Sequence, residues 1–279
     1  MVTETDTNQA NTQVRPYTWQ FNLMKHQYRA IVSADWNECL APCGPFDYIA
    51  FTYPELKPAL SNIFKQYTGN HITLDDAMHQ AGDFLPGPIR ISQMDAYLEA
   101  AFQMYTGVAN LMRWCQARNI LFMINTTGAA GYFQRAFFKS LLPPLPVISA
   151  YPKPHYAKET SDPEQIRPLL ETTDKPRHTE EVAHGLGVSL NRVIIIGDSG
   201  GDGPHFKWGV EKGAFLIASM AKPSLQQFCI REGIQPDCFF GHTYSENETL
   251  NHSLEMGYDF MDLSQLIEDV AGPIYPDQT

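Results

Sequence analysis

Val193-Ile194-Ile195-Ile196-Gly197-Asp198-Ser199-Gly200-Gly201-Asp202-Gly203 decides how the rest of the chain is read. Four β-branched residues in a row, with no polar alternation, describe a strand buried on both faces. The glycines mark a sharp turn at its C-terminal end. Two carboxylates four residues apart in that turn face the crevice where open α/β sheets bind ligands. Hard oxygen donors in this arrangement suit Mg²⁺, which takes few carboxylates and keeps some waters. A solvated Asp-Gly turn would explain the glycines but not two carboxylates at a strand end.

Similar short apolar runs recur at Ala30 to Ala34, Ile120 to Ile124, Ala214 to Ala218 and, more weakly, Cys238 to Phe240. Helical patterns separate them. Ala129 to Phe138 is one, leading into the Pro-rich Leu142 to Pro154. Lys175 to Leu186 is another, with Thr173 or Asp174 as its cap, Pro176 in its first turn, and Gly185 and Gly187 near its end. The class is therefore α/β, with a Rossmann-like parallel sheet. Roughly 85 residues lie between the first two runs, far more than one crossover helix needs. Within them Met94, Tyr97, Leu98, Ala101, Phe102 and Tyr105 trace one helical face, with Ser92 as its N-cap. Thr73 caps a second helix through Gln80, and Ala59, Leu60, Ile63 and Phe64 mark a third. The organisation expected is a mobile tail over 1–28, a core over 29–40 and 107–279, and an inserted all-helical cap over 41–106. Gly107 to Arg118 is then the core helix feeding the second strand.

The chain has 279 residues, 43% of them apolar, and a formal net charge of −11. No apolar run approaches a membrane span, and the acidic balance argues against nucleic acid as a partner. Five cysteines and an N-terminus without a basic-then-apolar leader point to a reduced, cytoplasmic setting. Cys39 and Cys43 lack a second pair at zinc-site spacing. An acidic protein that takes an anionic substrate must reverse the sign of its field locally.

The strand ends offer the means. Asp35 stands at the C-terminal tip of the first run, where a carboxylate nucleophile could meet a metal-bound phosphoryl group, although lone strand-end aspartates also serve commonly as helix caps or turn formers. Asn125-Thr126-Thr127-Gly128 ends the second, offering an amide, hydroxyls and helix N-terminal N–H groups to an anion. Lys175 can add a positive charge. In chain order Asp35, Asn125-Thr126, Lys175 and the Asp198/Asp202 loop resemble the haloacid dehalogenase-like (HAD) superfamily. The insertion after the first strand is similar to the first-position cap of its phosphoserine-phosphatase-like and phosphonatase-like branches. The resemblance implies a phosphohydrolase of a small phosphorylated metabolite, working through an aspartyl-phosphate on Asp35. It implies Mg²⁺ held by Asp35, the backbone carbonyl of Asn37, Asp198 and Asp202. Lys175, Asn125, Thr126, Thr127 and Glu38 are the residues it sets around the phosphate and substrate. The acidic pair argues against dehalogenation, which in this superfamily needs no metal.

One position departs from that pattern. The family's phosphatases carry a second aspartate two residues after the nucleophile, to protonate the leaving group; here Asn37 stands there, and Cys39 replaces the usual Thr. A carboxamide does not donate a proton as a carboxylic acid does, and losing such a group costs ~10²–10⁴-fold. Glu38, Asp47 or a cap residue can replace the acid, the leaving group can be good enough to need none, as in phosphonatase-like C–P hydrolysis, or the protein can bind phosphorylated ligands with little turnover. Phosphonatase-like chemistry would need a cap lysine, for which Lys57 and Lys65 are the candidates. His155 reads as a surface turn residue and His205 as helix packing. Trp36 reads equally as pocket wall or hinge filler, and Tyr97, Phe102 and Tyr105 as cap core.

Overall fold

The computed structural model describes residues 27–69 and 71–273, so nearly all of the expected tail lies outside the described residues. The first strand, β1, is Ala30–Ala34. Among the described residues four α-helices follow with no strand between them: α1 Asp47–Thr52, α2 Lys57–Thr68, α3 Leu74–Asp83 and α4 Ile91–Ala101. Next come α5 Val108–Ala117, β2 Ile120–Ala129, α6 Ala130–Phe138, β3 Val147–Tyr151 and β4 Gln165–Pro168. The second half runs α7 Asp174–Leu186, β5 Val193–Gly197, α8 Gly203–Lys212, β6 Phe215–Ser219, α9 Pro223–Glu232, β7 Cys238–Phe240, α10 His252–Glu255 and α11 Ser264–Ala271.

The seven strands among the described residues are all parallel, in the order β4-β3-β2-β1-β5-β6-β7. The chain leaves β1 toward one edge and returns to β5 on its other side, which makes the β1/β5 boundary the topological switch point. Register pairs Ala34 with Ile196, and the Asp35 N–H donates to the Ile196 carbonyl at 2.9 Å. Asp35 and Asp198 thus leave adjacent strands at the same edge.

The missing alternation in the apolar runs has a direct cause. Ala30, Val32 and Ala34 pack with the helices of one layer and Ile31 with those of the other, as Ile194 and Ile196 do against Val193 and Ile195. Both sheet faces are covered.

Several local expectations need correction. The Pro-rich stretch contains β3, and a further strand, β4, precedes α7; neither reads as an apolar run because Ser149, Gln165 and Arg167 interrupt them. Two of these polar residues are partnered from α7: Ser149 Oγ with His178 Nδ1 at 2.7 Å, and Arg167 with Glu181 at 2.8 Å. Pro168 ends β4 at the sheet edge, where no ladder donor is required. β2 continues through Asn125-Thr126-Thr127-Gly128, with a register shift against β3 between Asn125 and Ala129. Helix α4 begins after Arg90, whose N–H is taken by the Gln93 side chain at 2.9 Å, so Ser92 sits in the first turn. Asp174 accepts from the Leu170 and Glu171 N–H groups, bracing the turn before α7, and Thr173 makes no side-chain cap bond. Thr73 does cap α3, in a reciprocal pair with Asp76. Tyr105 stacks on Phe260 and hydrogen-bonds Glu255 in the C-terminal segment, whereas Tyr97 packs on Phe51 and Tyr132. Trp36 is fully buried against Phe102, Tyr132 and Phe133.

Candidate active site

Asp35, Asp198 and Asp202 meet at the switch point. All three are buried, and one carboxylate oxygen from each lies within 4.8 Å of the others. The turn geometry that allows this is tight. A Cβ on Gly197 would lie 2.6 Å from the Asp202 carboxyl carbon, so only glycine lets that side chain fold back. Asp202 then accepts from the Asp198 and Ser199 N–H groups at 3.0 and 3.3 Å, fixing the loop.

Lys175 stands between the acids from the first turn of α7. Its Nζ is 2.6 Å from Asp202 Oδ1 and 3.2 Å from Asp35 Oδ2. Burial alone would lower this ammonium's pKa, but Asp202 and Asp35 raise it above the ordinary lysine value, so it stays charged. A buried polar network holds the helix in place. Asn125 donates to the Lys175 carbonyl at 2.8 Å and to Thr179 Oγ1 at 3.0 Å, and Thr179 also meets Ser33 and His205. The Asn125 amide nitrogen is spent on this brace. His205 is indeed helix packing, and burial followed by the Lys175 charge keeps it neutral.

Asp35 Oδ1 accepts from the Trp36 N–H at 2.7 Å. Burial pushes its carboxyl up, Lys175 offsets part of that, and Asp202 adds to it. Asp198 is pushed up more strongly by burial, against the pull of Lys222. Its Oδ1 is buried with no hydrogen-bond partner. An orphaned carboxylate oxygen facing two further carboxylates is costly for the protein alone and suits a hard divalent cation. The residues present therefore fit Mg²⁺.

The Asn37 side chain is fully used elsewhere. Its amide donates to the Cys43 carbonyl at 3.1 Å, and its oxygen accepts from Thr126 Oγ1 at 3.2 Å. A Cβ on Gly128 would lie 2.7 Å from that oxygen, so glycine is required for the approach. Thr127 is buried beside the loop. The Cys39 thiol is buried, and burial plus the three carboxylates hold it protonated, which removes it as a nucleophile.

Glu38 has a left-handed backbone, φ 56°, uncommon for a residue with a Cβ. Its carboxyl is pushed up by burial and pulled back by Lys222 and His252. Together with Asp47, Lys57, Lys65 and His252, it lines a cleft of about 420 Å³ against α2. Asp47 accepts from the Gly44 N–H at 2.7 Å, so it closes its own loop. His155 is exposed.

Two residues at the site escaped the sequence reading. Lys222 donates to the Glu38 and Met220 carbonyls at 3.2 and 3.1 Å and lies 3.7 Å from Asp198 and 3.5 Å from the buried Glu255. Glu255 is held in turn by Tyr105, Tyr244 and His252. The available signal was position alone, since Lys222 follows β6 at the same sheet edge as Asp35 and Asp198. The other is Tyr67, which shares the buried face of α2 with Leu60 and Ile63 and reaches the Gly200–Asp202 turn.

No protein-family model matches the chain, and no curated protein matches it in sequence. Solved structures do match in fold. A phosphoserine phosphatase in a phospho-aspartyl intermediate analogue state aligns with a TM-score of 0.61 at 16% identity, covering 86% of this chain and all of its own. A substrate-bound phosphoserine phosphatase aligns with a TM-score of 0.61 at 14% identity, covering 86% of this chain and 98% of its own. A HAD family hydrolase from Salmonella enterica serovar Typhi gives 0.60 at 15% identity, covering 88% of this chain and 74% of its own. The chain shares the fold of these phosphoserine phosphatases and of this HAD family hydrolase. Among the described residues no helix is long and apolar enough to cross a membrane.

Proposed function

We propose that the chain is a Mg²⁺-dependent phosphohydrolase of a small phosphorylated metabolite, with Asp35 as nucleophile and residues 41–106 as a cap on the core. The observation that carries this reading is the buried Asp35/Asp198/Asp202 cluster at the switch point, with Lys175 set between two of its members. The HAD fold shared with phosphoserine phosphatases supports it.

The chemistry follows from the charges. Asp35 attacks phosphorus in line as the bond to the leaving oxygen breaks, leaving an aspartyl-phosphate that water cleaves to phosphate and free Asp35. Mg²⁺ bound by Asp35, Asp198 and the Asn37 carbonyl, with Asp202 behind them, would supply the charge that lets a carboxylate approach a dianion. Lys175 moves its hydrogen bonds from the carboxylates to the equatorial phosphoryl oxygens, where charge builds up. The Thr126 hydroxyl, now on Asn37, is next to the same oxygens, with Thr127 beside it. Glu38 and the α2 cleft receive the rest of the substrate.

Because both polar ends of Asn37 are occupied, a second reading has an observation of its own: a HAD-fold protein that binds a phosphorylated ligand with little turnover. Phosphate release from a panel of monoesters with Mg²⁺ separates the two. The enzyme reading expects release by wild type and none by Asp35→Asn. Equal silence of both proteins, with ligand binding intact, would leave the second reading standing.

A further inference from the structure

The leaving oxygen still needs a donor, and one buried side chain is placed for it. Tyr67 is 5% exposed, and its buried hydroxyl has no acceptor for its proton. A buried hydroxyl of this kind is costly to the fold unless something binds it. The hydroxyl also points at the acidic turn, since a Cβ built on Gly201 would lie 3.1 Å from it. Lys175, Asp35 and Asp202 surround it, and the Thr127 hydroxyl is oriented to donate to the Tyr67 oxygen, which leaves the Tyr67 O–H itself without an acceptor. Asn37, at the position where the resembled phosphatases keep their acid, turns its amide N–H groups to the carbonyl and sulfur of Cys43. Helix α2 therefore brings an O–H to the acidic loop, on the element that also walls the cleft.

We infer that Tyr67 is a catalytic residue of this site, donating its hydroxyl hydrogen bond to the leaving-group oxygen in place of the acid missing at position 37. The inference rests on the phosphohydrolase reading. As the P–O bond breaks, negative charge collects on the leaving oxygen and the Tyr67 O–H stabilises it; the alcohol leaves with its final proton drawn from water. Such a bond is worth more the more basic the leaving group.

The test is Tyr67→Phe, which removes one oxygen and keeps the ring that packs α2. Turnover is measured with Mg²⁺ on p-nitrophenyl phosphate, phenyl phosphate and an alkyl phosphate. The expected loss is under ~3-fold for p-nitrophenyl phosphate and grows to ~10²-fold for the alkyl ester. An equal loss on all three esters, or none, overturns the assignment while wild-type activity and its absence in Asp35→Asn keep the phosphohydrolase reading intact. A wild type silent on all three overturns both.

Discussion

Two buried ammonium groups flank the acidic cluster, and they are bound in opposite ways. Lys175 spends its hydrogen bonds on the carboxylates of Asp35 and Asp202. Lys222 spends its own on the main-chain carbonyls of Glu38 and Met220 and keeps longer contacts with Asp198 and Glu255. Carboxylates are partners that a phosphoryl group can replace, because both are anions competing for the same donor. Carbonyls at a chain turn are not. Lys175 is therefore placed to follow the reaction, whereas Lys222 ties the Asp35 loop, the β6 end and the C-terminal segment into one piece.

The largest effect expected from breaking this contrast is at Lys175. Lys175→Met should lower kcat by ~10²–10³-fold, the cost of one charge-stabilising donor. It should also destabilise the fold by roughly 3–5 kcal/mol, since Asp35 and Asp202 then lie buried without their cation. Phosphate release and urea denaturation are the measurements. Added Mg²⁺ should recover stability but not activity; recovery of both would make Lys175 a neutraliser only.

A smaller effect is expected at Lys222. It stands behind Asp198, so Lys222→Met should weaken Mg²⁺ affinity or activity by ~10–100-fold, the usual cost of a group that orients a metal ligand. The loss should fall on the Mg²⁺ concentration required, with kcat at saturating metal nearly kept. A fall in kcat as deep as that of Lys175→Met would erase the distinction between the two lysines.

The same pair explains what could be read from the chain alone. Lys175 stood out because a helical pattern, a Pro in its first turn and a downstream β-branched run placed it beside the acidic loop. Lys222 sits in Ala221-Lys222-Pro223, which reads as an ordinary helix entry, and its partner Glu255 lies 33 residues on, in a stretch without periodicity. Strands with purely apolar inner residues were legible for the same reason that β3 and β4 were not: Ser149 and Arg167 are buried only because α7 supplies their partners. Asn125 was legible as a polar residue at the sheet edge, but no spacing rule reveals that its amide is consumed by the Lys175 carbonyl. Tyr67 falls on the buried face of α2 with Leu60 and Ile63, and spacing alone does not set its hydroxyl apart from an apolar position.

The smallest effect sharpens the comparison through the ground beneath Lys175. Helix α7 packs on the sheet partly through His178, whose Nδ1 meets Ser149 and whose Nε2 accepts from Arg177 at 3.0 Å, so the imidazole is neutral. Burial first, then the Arg177 and Arg167 charges, lower its pKa from 6.5 to about 4. The unfolded chain takes up this proton near pH 6.5 and the folded chain only near pH 4. Stability from this group is therefore complete above about pH 6.5 and falls as the pH drops toward 4, by up to roughly 3 kcal/mol. Replacing His178 with Gln keeps a donor for Ser149 and removes the titration. In urea denaturation from pH 7 to 4.5, the stability of wild type relative to His178→Gln should decline steadily with falling pH. A constant difference would mean that His178 titrates alike in both states. Lys222 is braced by carbonyls and by Glu255, whose carboxyl burial alone would raise but hydrogen bonds from Tyr105, His252 and Tyr244 and the Lys222 charge hold below its usual value. Between pH 7 and 4.5, where Glu255 stays ionised, the acid-labile side of the site is the Lys175 side, and activity lost through α7 should disappear in His178→Gln while the Mg²⁺ requirement set by Lys222 stays unchanged.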